Sequence, residues 1–300
     1  MYTKPTEPRS IGGVLDDGLR LWRESIPKTW PLAVLAQLIV AVPLVLLAYK
    51  YPAVFPASPT RALGPASAAN AQAMLALFTS PATWLTYLAI LILSIVCYAA
   101  IVLRVASVAD GADLSLGGSV SSALRVLPRL LLQFLLFLAA IFLGALVTAF
   151  LVGVGAALAG SGRVLAAVVY IVIFFCAVFV FGRVFFASWI LILDDAGPAA
   201  SIGASWRLTH GYWWRCAAIL TVLIIIALVF TLVVGFAAGV IGAALGQGVL
   251  ATGLSQLVSL AANALLGSLY PAVIIAILYD LKLRKQGGDL MGRVDALARQ

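Results

Sequence analysis

Six long apolar runs constrain the fold of this chain more than any other feature. They cover about 31–49, 82–104, 130–153, 164–193, 214–245 and 249–280. A helix of about 20 apolar residues crosses the hydrocarbon core of a bilayer. Only 10% of the residues are charged, whereas soluble domains carry about 25%. The sequence therefore predicts an all-α fold, in which residues 1–300 form one polytopic membrane domain, a six-helix transmembrane bundle.

Three amphipathic segments accompany the runs, at about 10–26, 114–127 and 198–212. In the first segment, Val14 and Trp22 share one helical face, and Asp16 and Arg20 lie on the other. This pattern is typical of a helix that lies in the membrane interface. We expect three amphipathic interfacial helices on one side of the membrane, and we expect the first to end at Pro27, because proline lacks the backbone donor.

The charge distribution predicts an orientation. If both termini lie on one side, that side carries 16 basic residues and the other side carries Lys50, Arg61 and Arg163, which accounts for all 19. By the positive-inside rule, the N- and C-termini are then cytoplasmic. The net charge of +8 favours anionic lipid headgroups on the cytoplasmic face as partners. Nucleic acid is disfavoured, because the basic residues are spread along the membrane boundary.

Three arginines are candidates for binding an anionic lipid or ligand. Arg183 lies inside the fourth run, where a central charge costs about 2.5–3.5 kcal/mol. It is either a site for an anionic headgroup or substrate, or a residue whose side chain snorkels to the interface. The length of the run favours snorkelling. Arg104, near the end of the second run, has the same two interpretations, and Arg207 lies in the middle of the third amphipathic segment.

Aromatic and small residues suggest how the helices are placed. Four tryptophans at segment ends are predicted interface anchors: Trp22, Trp206, Trp213 and Trp214. A cation–π cage for a choline-like headgroup is the alternative for the last three. Four glycines form a small-residue stripe that predicts close helix packing, within the chain or in a homo-oligomer: Gly235, Gly239, Gly242 and Gly246. Amides inside the runs, such as Gln133, are expected to bond between helices.

The sequence contains no catalytic constellation, and we predict neither a metal nor a cofactor. The three cysteines lie at or inside apolar runs, and the single histidine, His210, has no neighbour at metal-ligand spacing. Asp194 and Asp195 precede the third amphipathic segment, where carboxylates favour a helix start. The sequence therefore predicts a protein that is not an enzyme.

Short motifs at intervals along the chain resemble a bacterial family, the membrane domain of glycerophosphoryl diester phosphodiesterase. They are the entry helix Ser10–Trp22, GRVFFASWILILDDAG around Arg183, ASWRLTHGYWWR at 204–215 and LYDLKLRKQGGDL at 278–290. Gln286 stands where that family usually has an acid. The resemblance implies six spans with surface helices in the bacterial inner membrane. It implies no catalysis, since the family's phosphodiesterase activity belongs to a separate soluble barrel.

Two functional hypotheses follow. The first is a non-enzymatic inner-membrane protein that binds or organises lipids or a membrane partner in connection with phospholipid metabolism. The second is a transporter or flippase for a lipid or small amphipathic solute. Arg183, the buried amides and the similarity between residues 10–20 and 115–125 support the second hypothesis. Transport sites usually lie on broken helices, and the runs here look mostly unbroken, which favours the first.

Overall fold

The computed structural model describes residues 2–51, 54, 68–158, 163–245 and 249–298. Within these ranges every regular element is a helix, which confirms the predicted all-α class. In chain order the helices are α1 Ile11–Lys50, α2 Ala68–Thr79, α3 Pro81–Ala109, α4 Leu116–Leu158, α5 Arg163–Val184, α6 Ala187–Leu193, α7 Pro198–Thr209, α8 Trp213–Leu245 and α9 Val249–Ala298.

Six stretches of the described helices are long and apolar enough to cross a membrane. They are Ile11–Leu47, Pro81–Ala109, Leu116–Leu151, Tyr170–Leu193, Trp213–Ala244 and Gly253–Lys285. In hydrocarbon each backbone polar group needs a partner within the protein, and a helix supplies these partners within its own segment. The prediction of a multi-pass protein with six spans is therefore confirmed.

The first two amphipathic segments are not separate helices. α1 runs without a break through Pro27 and Pro31, and α4 runs through Pro128. The expected helix end at Pro27 is wrong, as are separate helices at 10–26 and 114–127. Proline is tolerated inside such helices because packing against neighbouring helices compensates for the lost hydrogen bond. Here α1 packs along both α3 and α9.

The fourth run is broken, contrary to the expectation of one segment over 164–193. α5 ends at Val184, two residues form a turn at Phe185 and Phe186, and α6 follows. The third amphipathic segment does form a separate helix, α7. At the other end of the chain, α9 continues past the predicted limit of 280 as far as Ala298.

α9 is the central helix of the bundle, in contact with α1, α3, α7 and α8. Each residue from Ala272 to Leu278 is buried, whichever way its side chain points. α1 approaches α9 very closely at Gly18, where an added Cβ would lie 2.9 Å from the Cα of Val273. Glycine at this position allows the two backbones to pack in contact.

Packing is tight at one end of the bundle. Residues 2–10, 110–115, 194–197 and 210–212 meet there, and we call this the polar end. At the other end the helices expose large apolar side chains, such as Leu138, Phe150 and Phe175. Such surface is typical of helices that face lipid. Whether the amphipathic segments lie in the membrane interface stays a prediction.

Candidate functional site

Ion pairs connect distant parts of the chain at the polar end. Lys4 pairs with Asp110 at 2.9 Å, Lys28 with Asp113 at 2.8 Å and Lys282 with Asp194 at 2.7 Å, and Arg129 pairs with Asp195. Asp194 and Asp195 therefore bind basic residues on α9 and α4. Gly197 is the N-cap of α7, so neither aspartate caps that helix, and their favourable effect on the helix start stays a prediction.

A buried cluster lies where the N-terminal segment, residues 2–10, joins the bundle. The carboxylate of Asp280 is 2% exposed and accepts hydrogen bonds from Arg215 Nε and Arg284 Nε, each at 3.0 Å. Its other oxygen accepts the backbone N–H of Arg9 at 2.8 Å, and both arginines donate to the carbonyl of Arg9. The cluster thus binds both backbone polar groups of Arg9, which belong to the two successive peptide bonds on either side of its Cα.

The N-terminal segment is also anchored by Tyr2, which is buried and whose hydroxyl has no partner among the described residues. Burial, followed by the negative charges of Asp17 and Asp110, raises the pKa of Tyr2 to about 12. Elsewhere at the polar end, the hydrogen bond from Lys28 lowers the pKa of Asp113. Both directions follow from ordinary desolvation and charge pairing.

Arg183 lies in the last turn of α5, one residue before the helix ends. Its guanidinium carbon is 5.0 Å from the ring centre of Phe179 and 5.3 Å from that of Trp206 on α7. Phe179 lies one turn towards the start of α5, so the side chain turns away from the polar end. Ser205 donates to the carbonyl of Arg183 at 2.7 Å, which satisfies an acceptor that the helix end leaves free.

The guanidinium of Arg183 has unused hydrogen-bonding capacity. Its Nε and Nη1 atoms are buried, and neither has a partner among the described residues. Aromatic faces attract a cation but accept little from its N–H groups. The side chain turns back towards Phe179. Both interpretations of Arg183, the anionic site and snorkelling, stay predictions.

The four predicted anchor tryptophans have different surroundings. Trp206 is exposed beside Arg183, and Trp214 is 80% exposed. Trp213 contacts the rings of Phe179 and Trp214, and its Nε1 would be 2.6 Å from a Cβ at Gly182. Trp22 is half-buried and donates to Leu265 and Ser268 on α9. Trp206 thus lies beside Arg183, Trp213 contacts Phe179, and Trp214 contacts Trp213, whereas Trp22 packs against the central helix.

The other two candidate arginines do not join Arg183 in one pocket. Arg104 on α3 is 9% exposed, and its Nε and Nη1 are likewise buried without a partner in the described part of the chain. Its charge acts on Asp113, in the loop between α3 and α4. Arg207 is exposed on α7, with Nη1 3.4 Å from a Cβ built at Gly203.

In the part of the chain that the structure describes, three glycines of the stripe have no close neighbour on another helix. At Gly235, Gly239 and Gly242 a built Cβ has no heavy atom within 4 Å, while Gly246 lies outside the described residues. Packing between copies stays a prediction. Gln133 does bond between helices, because its Nε2 donates to Ser201 Oγ on α7 at 3.0 Å.

A cleft of about 400 Å³ opens at the polar end between α3, α6 and α9. Its charged lining consists of Lys4 and Asp110 on one side and Lys282 and Asp194 on the other. Lys4 also lies over the ring of Tyr279 at 4.2 Å, and the Tyr279 hydroxyl donates to Asp110 at 3.3 Å. Volumes of this size are typical of small-ligand sites.

The sequence interpretation did not single out the cleft or the Asp280 cluster. A signal was present in the spacing of Asp280 and Arg284, four residues apart on a helix, since such residues share a face. The partner Arg215 could not be assigned in this way, because it reaches Asp280 from α8. Among the described residues, no group of three or more His, Cys, Asp or Glu side chains could hold a metal ion.

Comparison with known proteins places the chain in a family. No curated protein and no solved structure matches it. A family model matches residues 66–279, a range that runs from before α2 to the Asp280 cluster and includes Arg104, Arg183 and Arg207. Since this match covers more than half of the sequence, the chain belongs to the family described as Domain of unknown function (DUF8558).

Proposed function

We propose that this protein is a non-enzymatic, multi-pass protein of the bacterial cytoplasmic membrane that binds anionic lipid headgroups. In this proposal it organises lipids or a partner membrane protein in connection with phospholipid metabolism, as its resemblance to the phosphodiesterase membrane domain implies. Both termini are cytoplasmic. The basic residues of the polar end then meet the leaflet surface, where each contributes about 1 kcal/mol to anionic lipid binding.

The observation that carries the proposal is the guanidinium of Arg183. It is held between Phe179 and Trp206, and two of its nitrogens are buried without a partner in the described part of the chain. A buried charge without a partner is costly. A phosphate oxygen supplies the missing acceptor and the opposite charge in one contact. Arg207, which is exposed, follows Trp206 directly on α7.

The test is native mass spectrometry of full-length protein in detergent with added phosphatidylglycerol. Arg183→Ala should lower the affinity for phosphatidylglycerol by at least about tenfold, because a charged hydrogen bond contributes about 1.5–3 kcal/mol. Arg183→Lys should restore binding only in part, since it keeps the charge and loses the planar donor pair. Arg125→Ala, which removes an exposed arginine of α4, is the matched control.

Equal retention by wild type, Arg183→Ala and Arg125→Ala would contradict the proposal. Diffuse, exchangeable lipid in all three samples would do so as well. In that case the search for a function should turn to protein partners at the polar end.

A transporter or flippase is the second candidate, and the break between α5 and α6 favours it. The turn at Phe185 and Phe186 follows Arg183 directly, and transport sites usually lie on such discontinuous helices. In proteoliposomes, a transporter would move a fluorescent anionic lipid between leaflets faster than empty liposomes do. Arg183→Ala would reduce this rate of lipid movement to that of empty liposomes. A protein that only binds lipid would not raise the rate above that of empty liposomes.

A further inference from the structure

We infer that the cleft between α3, α6 and α9 binds the headgroup of a zwitterionic phospholipid that carries a phosphate and a primary ammonium. This inference goes beyond the proposed function, because it concerns another place in the molecule and another class of headgroup. The cleft and the Arg183 site have no residue in common.

The charges of the cleft match a ligand with both signs and no net charge. Two ammonium groups and two carboxylates line it, so its own net charge is zero. Lys4 and Lys282 come from the N-terminal segment and α9, and each is held by one aspartate. These pairs are partly exposed, and exposed ion pairs exchange partners easily. A phosphate can bind Lys4 or Lys282 while an ammonium binds Asp110 or Asp194.

The apolar part of the lining places the cleft at a membrane boundary. Leu103, Leu193 and Leu278 lie in membrane spans, whereas Lys4, Asp110 and Asp194 lie outside them, and Lys282 lies in the last turn of the last span. A soluble zwitterion would use only the charged part of such a cleft. A phospholipid also places its glycerol and first methylene groups against the leucines, which favours a lipid as the ligand.

The donors and acceptors select a primary ammonium over a quaternary one. Asp110 and Asp194 can accept N–H bonds, which a trimethylammonium group lacks. Quaternary groups are usually bound by several aromatic faces. Among the described residues, Tyr279 is the single aromatic residue in the lining, and Lys4 already lies over its ring.

Native mass spectrometry of full-length protein can test this with three lipids of identical acyl chains: phosphatidylethanolamine, phosphatidylglycerol and phosphatidylcholine. At the cleft, wild type should bind phosphatidylethanolamine about tenfold more tightly than phosphatidylglycerol or phosphatidylcholine. Lys282→Gln and Asp194→Asn should each remove this preference. Lys285→Gln is the matched control, because Lys285 lies on the same helix over the ring of Tyr212, outside the cleft.

Lys4→Gln is a second cleft variant on the N-terminal segment, and it keeps the test valid if an α9 variant unfolds. Equal binding of the three lipids would overturn the inference, and so would an unchanged preference in cleft variants that melt like wild type. If free O-phosphoethanolamine displaces the lipid, the cleft recognises the headgroup itself, and a soluble molecule with this headgroup is then a second possible ligand. Retention despite it would support the lipid alone. Binding of phosphatidylglycerol to Arg183→Ala, measured in parallel, tests the proposed function separately.

Discussion

Gly18 shows how one missing side chain sets the distance between two helices. We expect Gly18→Ala to lower the free energy of unfolding by about 1–3 kcal/mol, the usual cost of overpacking. Its Cβ would lie 2.9 Å from a backbone atom of Val273, which cannot rotate away. Equilibrium unfolding in one detergent would measure this. Gly144→Ala is the control, since its Cβ would meet no atom within 4 Å, and an equal loss in both variants would contradict the explanation.

Asp280 is the residue whose loss should matter most at the polar end. Asp280→Asn leaves Arg215 and Arg284 without their buried counterion, and removing one partner of a buried pair costs about 3–5 kcal/mol. Both arginines are partly exposed, so we expect the lower end of that range. Limited proteolysis should also cleave the N-terminal segment sooner. Asp16→Asn, which breaks an exposed pair with Arg20, should change the unfolding free energy by less than about 1 kcal/mol.

At the scale of elements, the break between α5 and α6 depends on α7. Ser205→Ala would leave the carbonyl of Arg183 without its donor, and a buried polar group without a partner costs about 1–3 kcal/mol. Thermal unfolding should show this loss, together with weaker lipid binding at Arg183. Ser121→Ala is the control, because its hydroxyl bonds only within the exposed face of α4. Identical melting curves for the two variants would show that Ser205 is not needed.

The packing of the N-terminal segment against the bundle should become less stable at high pH. The pKa of Tyr2 is about 12 in the folded protein, whereas an unfolded tyrosine titrates near about 10. The unfolded chain therefore loses this proton first, and stability falls as the pH rises from about 10 through about 12. Unfolding of wild type and Tyr2→Phe from pH 9 to 12 would measure the difference. Parallel curves over this range would contradict the assignment.

At the scale of the whole molecule, the even number of spans places both termini on one side of the membrane. The positive-inside rule then predicts that the polar end faces the cytoplasm. In a chain with its three cysteines replaced by alanine, we would introduce Lys50→Cys or Ala112→Cys. A membrane-impermeant maleimide added to intact spheroplasts should label only the first, because Ala112 lies at the polar end. Permeabilised spheroplasts should label both. Labelling of Ala112→Cys alone in intact spheroplasts would reverse the orientation.

Much of the candidate site could be named from the sequence, but its arrangement could not. Arg183 and Arg104 stand out as charges in apolar runs, and Trp206 and Trp213 stand out near their ends. That Phe179 and Trp206 enclose Arg183 depends on how α7 folds back on α5. That Lys4 and Lys282 line one cleft depends on the path of the N-terminal segment. Contacts between residues so far apart in sequence have no local signal.

The sequence by itself determined the helical class and the six spans, because hydrocarbon excludes backbone without internal hydrogen bonds. It also determined which segments are polar. Only the tertiary structure decided where helices continue or break. α1 passes through Pro27 because its packing against α3 and α9 outweighs one lost hydrogen bond. The apolar run at 164–193 divides into α5 and α6, and α6 packs against α7 and α4. Asp280 can be buried because Arg215 and Arg284 balance its charge and the backbone N–H of Arg9 donates to it. Only the assembled bundle brings these groups together.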